Sequence, residues 1–430
     1  MSKFFCGVGK ALITPPIGTK LFGYRPDVVS TSVNDDLNVT AAAFSDGETT
    51  CLLLSATVCE IANEVSDGLR KAVAERTGLP FDHIVLHAIH THSAPNCVGM
   101  AGWGGIDEEY VNGIFKDGIL KAAVRAVASM KEAELGIGTV HSEVGINRRQ
   151  IMRNGDVILG QNPYGVYDPE MTVLAFRTVD GTPLLNIVHY GCHGTGCGCN
   201  HEISRDWSGV MVDGLERESG AVTTFIDGAE GDVGPRLSNG QTVGDLGYAL
   251  RLGAVAESDA VKAYRSIRHW EKDPELKLHT GDIVLPYKPL MPLDEVKEEL
   301  KKYPEPEKLI NIDYLEYDRL KKIEAIHEGK REEKPNFTYR STIIEVGGAA
   351  IVPFPFEIFS EISLRMRDYS KKPHVLCLSC TNGSNAYLPT RGELLRGGYE
   401  IRTFTAGDAQ CLRDDTDDII IDQNLKLMGE

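Results

Sequence analysis

Alternating apolar and polar segments in the N-terminal part of the chain predict short strands that alternate with amphipathic helices. Apolar runs at 40–45 and 51–56 flank a turn of sequence DGE and predict a pair of strands. Residues 62–78 have helical spacing and end on a glycine, which favours a helix that stops there. The apolar run HIVLHAI at 83–89 then predicts a strand that delivers His90 into a loop.

The same mixed pattern continues towards the C-terminus. It predicts helices over 108–135, 208–219, 242–266 and 357–368, and strands at 136–144, 171–178, 183–190, 223–227, 338–346, 349–353 and 374–380, followed by a loop-rich end. Between 286 and 335 the chain is rich in lysine, glutamate and proline, which predicts a charged helical insertion or lid on the surface. Without an internal repeat or a low-complexity linker, residues 1–430 are interpreted as one large mixed α/β domain.

Composition and charge narrow the class of protein. A content of 42% hydrophobic and 25% charged residues is typical of a globular protein. The formal net charge of -17 argues against nucleic acid or an anionic membrane as a partner, because both bind basic surfaces. The N-terminus lacks the apolar core of a signal peptide, and no apolar run is long enough to span a bilayer. We therefore expect a cytoplasmic protein with a small-molecule substrate, no nucleic-acid partner and no stable membrane association, while homo-oligomerisation stays open.

Histidines at two predicted strand ends are the first candidates for chemistry. In HTHSAP, His90 and His92 lie one residue apart and would reach towards one face, since side chains alternate along a strand. His193 follows a second apolar strand and opens the glycine-rich HGT loop. Neutral imidazole is a good zinc ligand, although a hydrogen-bonded structural histidine is the common alternative. Two strand ends of this kind indicate one cleft at the carboxyl edge of a sheet.

Acidic residues and tyrosines supply further candidates. Glu230 and Asp232 lie in the loop GAEGDVGP, where they would bind a metal, orient a ligand histidine or form a solvated turn. Glu357 follows VPFPF at the predicted start of a helix, where a carboxylate gains from the helix dipole without any catalytic role. Tyr387 and Tyr399 lie in a polar loop, and isolated tyrosines are usually packing residues with a hydrogen-bonded hydroxyl.

In combination these motifs resemble the catalytic domain of the neutral/alkaline non-lysosomal ceramidase family. The matching segments follow the family's order: GVGKALITPPIG, LFGY, HTHSAP, INRR, HGT with a downstream N-x-x-ISRDW, EGDVGP, PFE, and NAYLPT with GGYE. Each segment is short, but the series extends over almost the whole chain. The resemblance implies a mixed α/β fold with a two-sheet core flanked by helices, and a zinc-dependent hydrolase of an amide C–N bond.

The resemblance also implies a ligand set for one catalytic Zn²⁺. The matching positions are His90, His193, Glu357 and Tyr387. Two histidines and a glutamate form a known catalytic zinc set that leaves a position for water, and the tyrosine would be a weaker fourth ligand.

Further residues are expected around this set. His92 and Tyr399 match residues near the reacting carbonyl, and Arg148 of INRR matches an arginine that faces the active site. His92 would move protons, and Tyr399 would hydrogen-bond the developing oxyanion. Residues expected to orient a ligand or to line the substrate cleft are Asp206, Asp232, Glu230, Cys97 and Asn200.

Three features depart from the family's pattern. Gly234 of EGDVGP stands where the family has a serine implicated in catalysis, so a serine nucleophile is excluded there and attack by metal-activated water is expected. Ser384 stands where the family favours an aromatic residue. The sequence ends soon after Tyr399, without the family's C-terminal immunoglobulin-like domain. These differences favour a small, polar, cytosolic substrate over ceramide.

The cysteines allow a different interpretation. Cys192, Cys197 and Cys199 surround His193, and Cys377 and Cys380 form a C-x-x-C pair. Such soft ligands suit a second metal or a cluster, whereas buried reduced thiols in the cytoplasm are the common case.

Two alternatives to the amide hydrolase therefore stay open. The first is a zinc-dependent lyase, hydratase or epimerase for a sugar- or polyol-like substrate, in which the same ion would stabilise an enediolate. The second is a metal- or redox-sensing protein that uses the cysteine-rich loop.

Overall fold

The computed structural model describes residues 3–430, and its strands form two main sheets with several short pairs. In chain order the strands are β1 (Phe5–Leu12), β2 (Ser32–Val33), β3 (Asn38–Ser45), β4 (Thr50–Ala56), β5 (Ile84–Ala88), β6 (Lys131–His141), β7 (Gly145–Asn147), β8 (Arg149–Ile151), β9 (Val157–Leu159), β10 (Glu170–Thr178), β11 (Pro183–Tyr190), β12 (Glu202–Ile203), β13 (Val222–Asp227), β14 (Val233–Pro235), β15 (Glu271–Lys272), β16 (Leu276–Pro286), β17 (Asn336–Val346), β18 (Ala349–Pro353), β19 (Glu357–Ile358), β20 (His374–Leu378) and β21 (Tyr387–Leu388).

The helices cover the outer faces of these sheets. In chain order they are α1 (Asn63–Thr77), α2 (Glu108–Tyr110), α3 (Lys116–Ala128), α4 (Asp206–Ser219), α5 (Leu246–Ser266), α6 (Leu293–Leu300), α7 (Asn311–His327), α8 (Ser360–Tyr369), α9 (Arg391–Leu394), α10 (Tyr399–Ala406) and α11 (Thr416–Leu427). A π-helical turn, Val111–Phe115, joins α2 to α3, and short 3₁₀ turns lie at Phe81–His83 and Pro306–Lys308.

The two main sheets pack face to face. The first has nine strands in the order β13-β11-β10-β6-β1-β3-β4-β5 with β15 beside β6, and the second has the order β16-β17-β18-β20. Phe44 and Phe176 of the first sheet share one buried cluster with Ile344 and Leu378 of the second. Helices α1 and α3 pack on the far side of the first sheet together with α4 and α5, and α8 and α11 pack on the far side of the second. The predicted mixed α/β fold with a two-sheet core is confirmed.

Side chains join the two ends of the nine-stranded sheet, β13 at one end and β4 and β5 at the other. The Ser55 hydroxyl of β4 donates a hydrogen bond to the Phe225 carbonyl of β13 at 2.6 Å. The Asp227 amide of β13 donates to His87 Nε2 of β5 at 2.9 Å, while His87 Nδ1 lies 3.0 Å from the Ser379 carbonyl after β20. His87 is therefore a buried structural histidine that ties both sheets together at the edge where the site forms.

Several predicted boundaries were wrong, and at residues 131–135 and at Glu357 the reason is that strand pairing overrides the local helical pattern. The helix predicted to run to residue 135 ends at Ala128, and Lys131–His141 form strand β6, which pairs with β10 and β1. The predicted loop-rich C-terminal segment contains α9, α10 and α11. Glu357 does not begin a helix: it lies in β19, and α8 begins at Ser360.

Helices α6 and α7 occupy the segment between β16 and β17, where a charged helical insertion was predicted. Leu315, Leu320 and Ile323 of α7 are buried, so this segment packs on the remainder of the chain and is more than a solvated excursion. Among residues 3–430, no helix combines the length and the apolar character needed to traverse a bilayer.

Candidate metal centre

Four side chains from separate segments converge at the carboxyl ends of the parallel strands. His90 follows β5, His193 follows β11, Glu357 lies in β19 and Tyr387 in β21. Glu357 Oε2 lies 3.0 Å from His193 Nε2 and 3.4 Å from His90 Nε2, and the Tyr387 hydroxyl lies 3.4 Å from His193 Nε2. Ligands of one tetrahedral zinc ion lie roughly 3.3 Å apart. The spacing of these atoms therefore matches the shell of a single ion.

The backbone explains how two of these ligands meet. Strands β19 and β21 run parallel, with Glu357 and Tyr387 as direct partners.

His90 has a φ of 60°, a left-handed conformation that is uncommon outside glycine. Such conformations concentrate at functional sites, where surrounding structure holds them in place.

Hydrogen bonds fix the orientation of His193. Its Nδ1 donates to the Glu230 carbonyl at 2.8 Å and lies 3.1 Å from the Val233 carbonyl. The proton is thereby placed on Nδ1, which leaves the lone pair of Nε2 free to bind a metal. Burial, followed by the charge of Arg148, lowers the pKa of His193 well below its usual value, so the ring is neutral as a ligand must be.

An unpartnered oxygen shows that a cation fits the centre. Glu357 Oε2 is buried without a hydrogen-bond partner although it lies between two imidazoles. Burial and the neighbouring Glu60 raise the pKa of Glu357 well above its usual range. A buried carboxylate oxygen without a partner is costly, and a divalent cation would satisfy it together with both imidazole lone pairs. His90, His193 and Glu357 form one of the groups of described residues whose ligand atoms are close enough to share an ion.

His92 lies beside the ligand set. Its Nε2 is 3.2 Å from His90 Nε2, and the Tyr24 ring packs edge-on at 5.1 Å. Gly23 has a φ of +119°, and a Cβ at this position would lie 2.2 Å from His92 Nδ1. The glycine of the LFGY motif therefore permits the close approach of the backbone to His92.

Two buried arginines hold the opposite wall. Arg148 Nε donates to Glu400 Oε1 at 2.8 Å, and Arg149 Nη1 donates to Glu400 Oε2 at 2.7 Å. Arg148 Nη2 is buried without a partner, and its guanidinium carbon lies 5.2 Å from the centre of the Tyr387 ring. Glu400 follows Tyr399 at the start of α10, so this network fixes the Tyr399 ring 5.8 Å from that of Tyr387.

Known proteins share the sequence pattern of the N-terminal half of this chain. The sequence profile described as "Neutral/alkaline non-lysosomal ceramidase, N-terminal" matches residues 4–247, more than half of the chain. The chain belongs to the neutral/alkaline non-lysosomal ceramidase family. This membership and the fold support a hydrolase enzyme.

Solved structures share the fold over the entire chain. The neutral ceramidase from Pseudomonas aeruginosa aligns with a TM-score of 0.76 and 17% identity, covering 100% of this chain and 75% of that one. A ceramidase complexed with C2 aligns with a TM-score of 0.75 and 17% identity, covering 100% and 76%. At this identity the likeness shows the fold alone. Among curated proteins, none matches the chain.

The carboxylates expected to orient a ligand have other partners in this family member. Asp206 accepts the amides of Gly196 and Cys197 at 3.0 and 2.8 Å, and it thereby shapes the HGT loop. Asp232 accepts both the amide and the hydroxyl of Ser360 at 2.7 Å. Backbone carbonyls orient His193 instead, which the sequence could not indicate because every residue has a carbonyl.

Glu230 lies closer to the centre than the other two acids. Its carbonyl orients His193, and its Oε1 lies 3.7 Å from the Cys380 thiol. Its Oε2 is buried without a partner, and burial raises the pKa of this carboxyl well above its usual range. Glu230 therefore supports the centre through both its backbone and its side chain.

Cys97 and Asn200 lie away from the cleft. Cys97 is buried in the cluster between the nine-stranded sheet and helices α1 and α3. Asn200 donates to the Ser93 hydroxyl at 2.9 Å and to the Gly198 carbonyl, which makes it part of the loop scaffold.

The cysteine-rich loop does not assemble a site of its own. Within the described residues 3–430, Cys192, Cys197 and Cys199 form no group with the spacing of metal ligands. Burial raises the pKa of Cys192 and Cys197 above the ordinary thiol value, which is typical of inert buried thiols. Cys59 and Cys380 instead flank His90, with their thiols 3.8 and 3.6 Å from its Nδ1.

The structure explains why a glycine replaces the family's serine. Gly234 lies in β14, and a Cβ there would lie 2.6 Å from the Cβ of Thr242. Thr242 therefore occupies the space that a serine side chain would need.

A small cavity in front of the ligand set has walls that the sequence did not predict. Its volume is about 20 Å³, and its lining includes Glu60, Phe22, Met100 and Trp103 beside the ligands. Leu315 of α7 packs in the same apolar cluster as Phe22 and Trp103, so the insertion covers the site. Of the four lining residues Glu60, Phe22, Met100 and Trp103, Phe22 alone lies in a recognised sequence motif, LFGY.

Proposed function

We propose that this protein is a zinc-dependent hydrolase that cleaves the C–N bond of a small, polar N-acyl substrate. The observation that carries the proposal is the convergence of His90, His193 and Tyr387 on Glu357, whose Oε2 is buried without a partner. Membership of the ceramidase family supports amide hydrolysis. The ligand set has two imidazole nitrogens and two oxygens at the spacing of a tetrahedral site. Zinc is the divalent cation that such a set favours.

The four ligands prepare the site for catalysis. Zinc bound there would supply a Lewis acid that polarises the substrate carbonyl and makes water a competent nucleophile near neutral pH. His90 and His193 contribute neutral nitrogens, and Glu357 contributes one negative charge. Burial raises the pKa of Tyr387 well above its usual range, and the Arg148 guanidinium beside its ring opposes that rise.

His92 is the residue that we assign to proton transfer. Its Nε2 lies next to His90 Nε2, within reach of groups held at the centre. At this atom His92 takes a proton from the attacking water and gives it to the leaving nitrogen as the C–N bond breaks. Gly23 and Tyr24 fix the ring, so that Nε2 points at the reacting atoms throughout.

Tyr399 and Arg148 stabilise the carbonyl oxygen as it gains negative charge. The Tyr399 hydroxyl lies in the wall of the cavity and donates a hydrogen bond to that oxygen. Arg148 supplies a buried positive charge with one free nitrogen, Nη2. Because Glu400 and Arg149 hold both residues in place, little reorganisation accompanies the reaction.

The cavity favours a small, polar substrate. The space before the ligands is about 20 Å³ and is lined by Phe22, Met100 and Trp103. Beyond it lies a cavity of about 500 Å³ whose lining includes Asn63, Asn385 and Lys334. A polar chamber of this kind suits a short acyl amide better than a long-chain lipid.

The test couples metal content to amine release. Wild-type protein is supplied with zinc and a panel of short-chain N-acyl amines, and free amine is measured by fluorescence derivatisation. His193→Gln and Glu357→Gln must lose both zinc and amine release, whereas His201→Gln, on an exposed loop, must retain both. Failure of the zinc-loaded wild type to release amine from any member of the panel would contradict hydrolysis. Isomerised or dehydrated polyols in parallel incubations would then favour the lyase alternative.

A further inference from the structure

Glu60 is a buried acid that the mechanism above does not use. It lies in the loop after β4, its side chain is 4% exposed, and it lines the small cavity in front of the ligand set, beside His92 and Tyr399. Oε2 accepts a hydrogen bond of 2.8 Å from the Ser384 hydroxyl. Ser384 therefore fixes one oxygen of this carboxyl group, which also shares a hydrogen bond with the carboxyl group of Glu357.

Glu60 is not placed to bind the same metal ion as its neighbours. Its Oε1 lies 3.9 Å from His90 Nδ1, the nitrogen on the opposite side of the ring from the metal-binding Nε2. That separation is also too long for a hydrogen bond, so Glu60 does not orient His90 in the way that a carboxylate usually orients a ligand imidazole.

The carboxyl group also lacks a cationic partner. Across residues 3–430, no lysine or arginine lies within ion-pair distance of Glu60. The hydrogen-bonding neighbours of this acid are the Ser384 hydroxyl and the Glu357 carboxyl, and Glu357 has no proton to share once it binds a metal. A buried acid left with one donor is costly to the fold, which favours a role in which a ligand supplies a second donor.

We propose that Glu60, held by Ser384, accepts a hydrogen bond from a hydroxyl or amino group that the substrate carries close to its scissile amide. This inference rests on the proposed hydrolase function and names its substrate class: short N-acyl amines with a polar hydrogen on the amine portion. Phe22, Met100 and Trp103 enclose the same space and restrict the size of that portion.

Three N-hexanoyl amides of similar size test the contact. They carry 2-aminoethanol, ethylenediamine or propylamine as the amine portion, so that only the terminal group changes. The wild type is expected to prefer the hydroxyl- or amino-bearing amide over the propyl amide by about tenfold or more in kcat/KM, because an unpaired buried acid disfavours the analogue without a donor.

Variants separate the two possible donors. Glu60→Leu must remove the preference, chiefly by raising KM for the donor-bearing amides. Glu60→Gln keeps an acceptor oxygen but no charge, so a hydroxyl preference persists and an amino preference is lost. Ser384→Ala must weaken the preference, and Glu75→Leu, on the exposed face of α1, must leave it unchanged. Zinc content and the unfolding temperature of each variant are measured alongside.

The outcomes distinguish this inference from the function on which it rests. Equal kcat/KM for all three amides in the wild type, or an unchanged preference in Glu60→Leu with zinc retained, overturns the role of Glu60. If the wild type hydrolyses none of them, the proposed function fails. The contact of Glu60 with the donor group is then tested by calorimetry, which measures the affinity of the intact protein for the same three compounds. Tighter binding of the donor-bearing amides, abolished by Glu60→Leu, supports the contact, and equal affinities overturn it.

Discussion

Glu357 and Tyr387 face each other as direct partners in the parallel pairing of β19 with β21. Each strand is only two residues long, so the main effect of the pairing is to place the side chains of Glu357 and Tyr387 next to each other. His193 meets both, with its Nε2 3.0 Å from Glu357 Oε2 and 3.4 Å from the Tyr387 hydroxyl. The centre is thus built from backbone pairing at the carboxyl edges of two sheets.

Removing one hydroxyl at a time should separate metal binding from turnover. Tyr387→Phe keeps the ring packing but removes an oxygen at ligand distance, so zinc affinity should fall by about 10- to 100-fold. Tyr399→Phe should retain zinc affinity and lower kcat by about 100-fold, because it removes a donor to the developing oxyanion. Competition with a chromophoric chelator and steady-state kinetics measure the two effects. Equal zinc affinities for both variants would contradict the assignment of Tyr387.

Gly23 should be indispensable for the position of His92. In Gly23→Ala the new methyl group would lie 2.2 Å from His92 Nδ1, so the ring must move and amide hydrolysis should fall by about 100-fold while zinc content stays unchanged. Gly18→Ala is the matched control, since Gly18 has a φ of +98° but no atom within 4 Å of the point that an added Cβ would occupy. An equal loss of activity in both variants would indicate backbone strain and would count against the contact with His92.

The sequence predicted the ligand types and many strands, but not the contacts that depend on distant pairing. His90 and His193 were identified because each follows a clear apolar strand, and strand ends of parallel pairs meet at one edge. Glu357 was placed on a helix because PFE followed by EISLRMR has helical spacing, whereas pairing with Tyr387 places it in β19. Glu60 was missed because nothing in CEIAN distinguishes a cavity acid from a solvated one. Its hydroxyl partner, Ser384, is far away in sequence.

His87 should make the fold sensitive to acid. Burial lowers the pKa of His87 from 6.5 to about 3, so the folded state keeps it neutral while the unfolded state binds a proton below pH 6.5. Its contribution to stability is complete above pH 6.5 and is lost as the pH falls towards 3, at about 1.4 kcal/mol per pH unit. His87→Gln should reduce the slope of unfolding free energy against pH by that amount in urea titrations between pH 4.5 and 6. His141→Gln, at the exposed end of β6, should leave the slope unchanged.

Restoring the family's serine should not create a serine hydrolase. Gly234→Ser would place a Cβ 2.6 Å from Thr242, and overpacking of this kind costs about 1–3 kcal/mol of stability. Amide hydrolysis should not rise, because the reaction depends on the metal ligands. Thr242→Ala combined with Gly234→Ser should recover stability without any gain in activity. A several-fold increase in kcat for either variant would show that the position takes part in the reaction.

X-ray absorption at the zinc edge of the purified, zinc-loaded protein is the most direct test of the metal centre. We expect one zinc per chain with four nitrogen and oxygen scatterers at about 2.0–2.1 Å, two of them imidazoles. Loss of one imidazole contribution is expected in His90→Ala. Sulfur scatterers at about 2.3 Å would place the ion on the cysteines instead, and that result would contradict the centre formed by His90, His193, Glu357 and Tyr387.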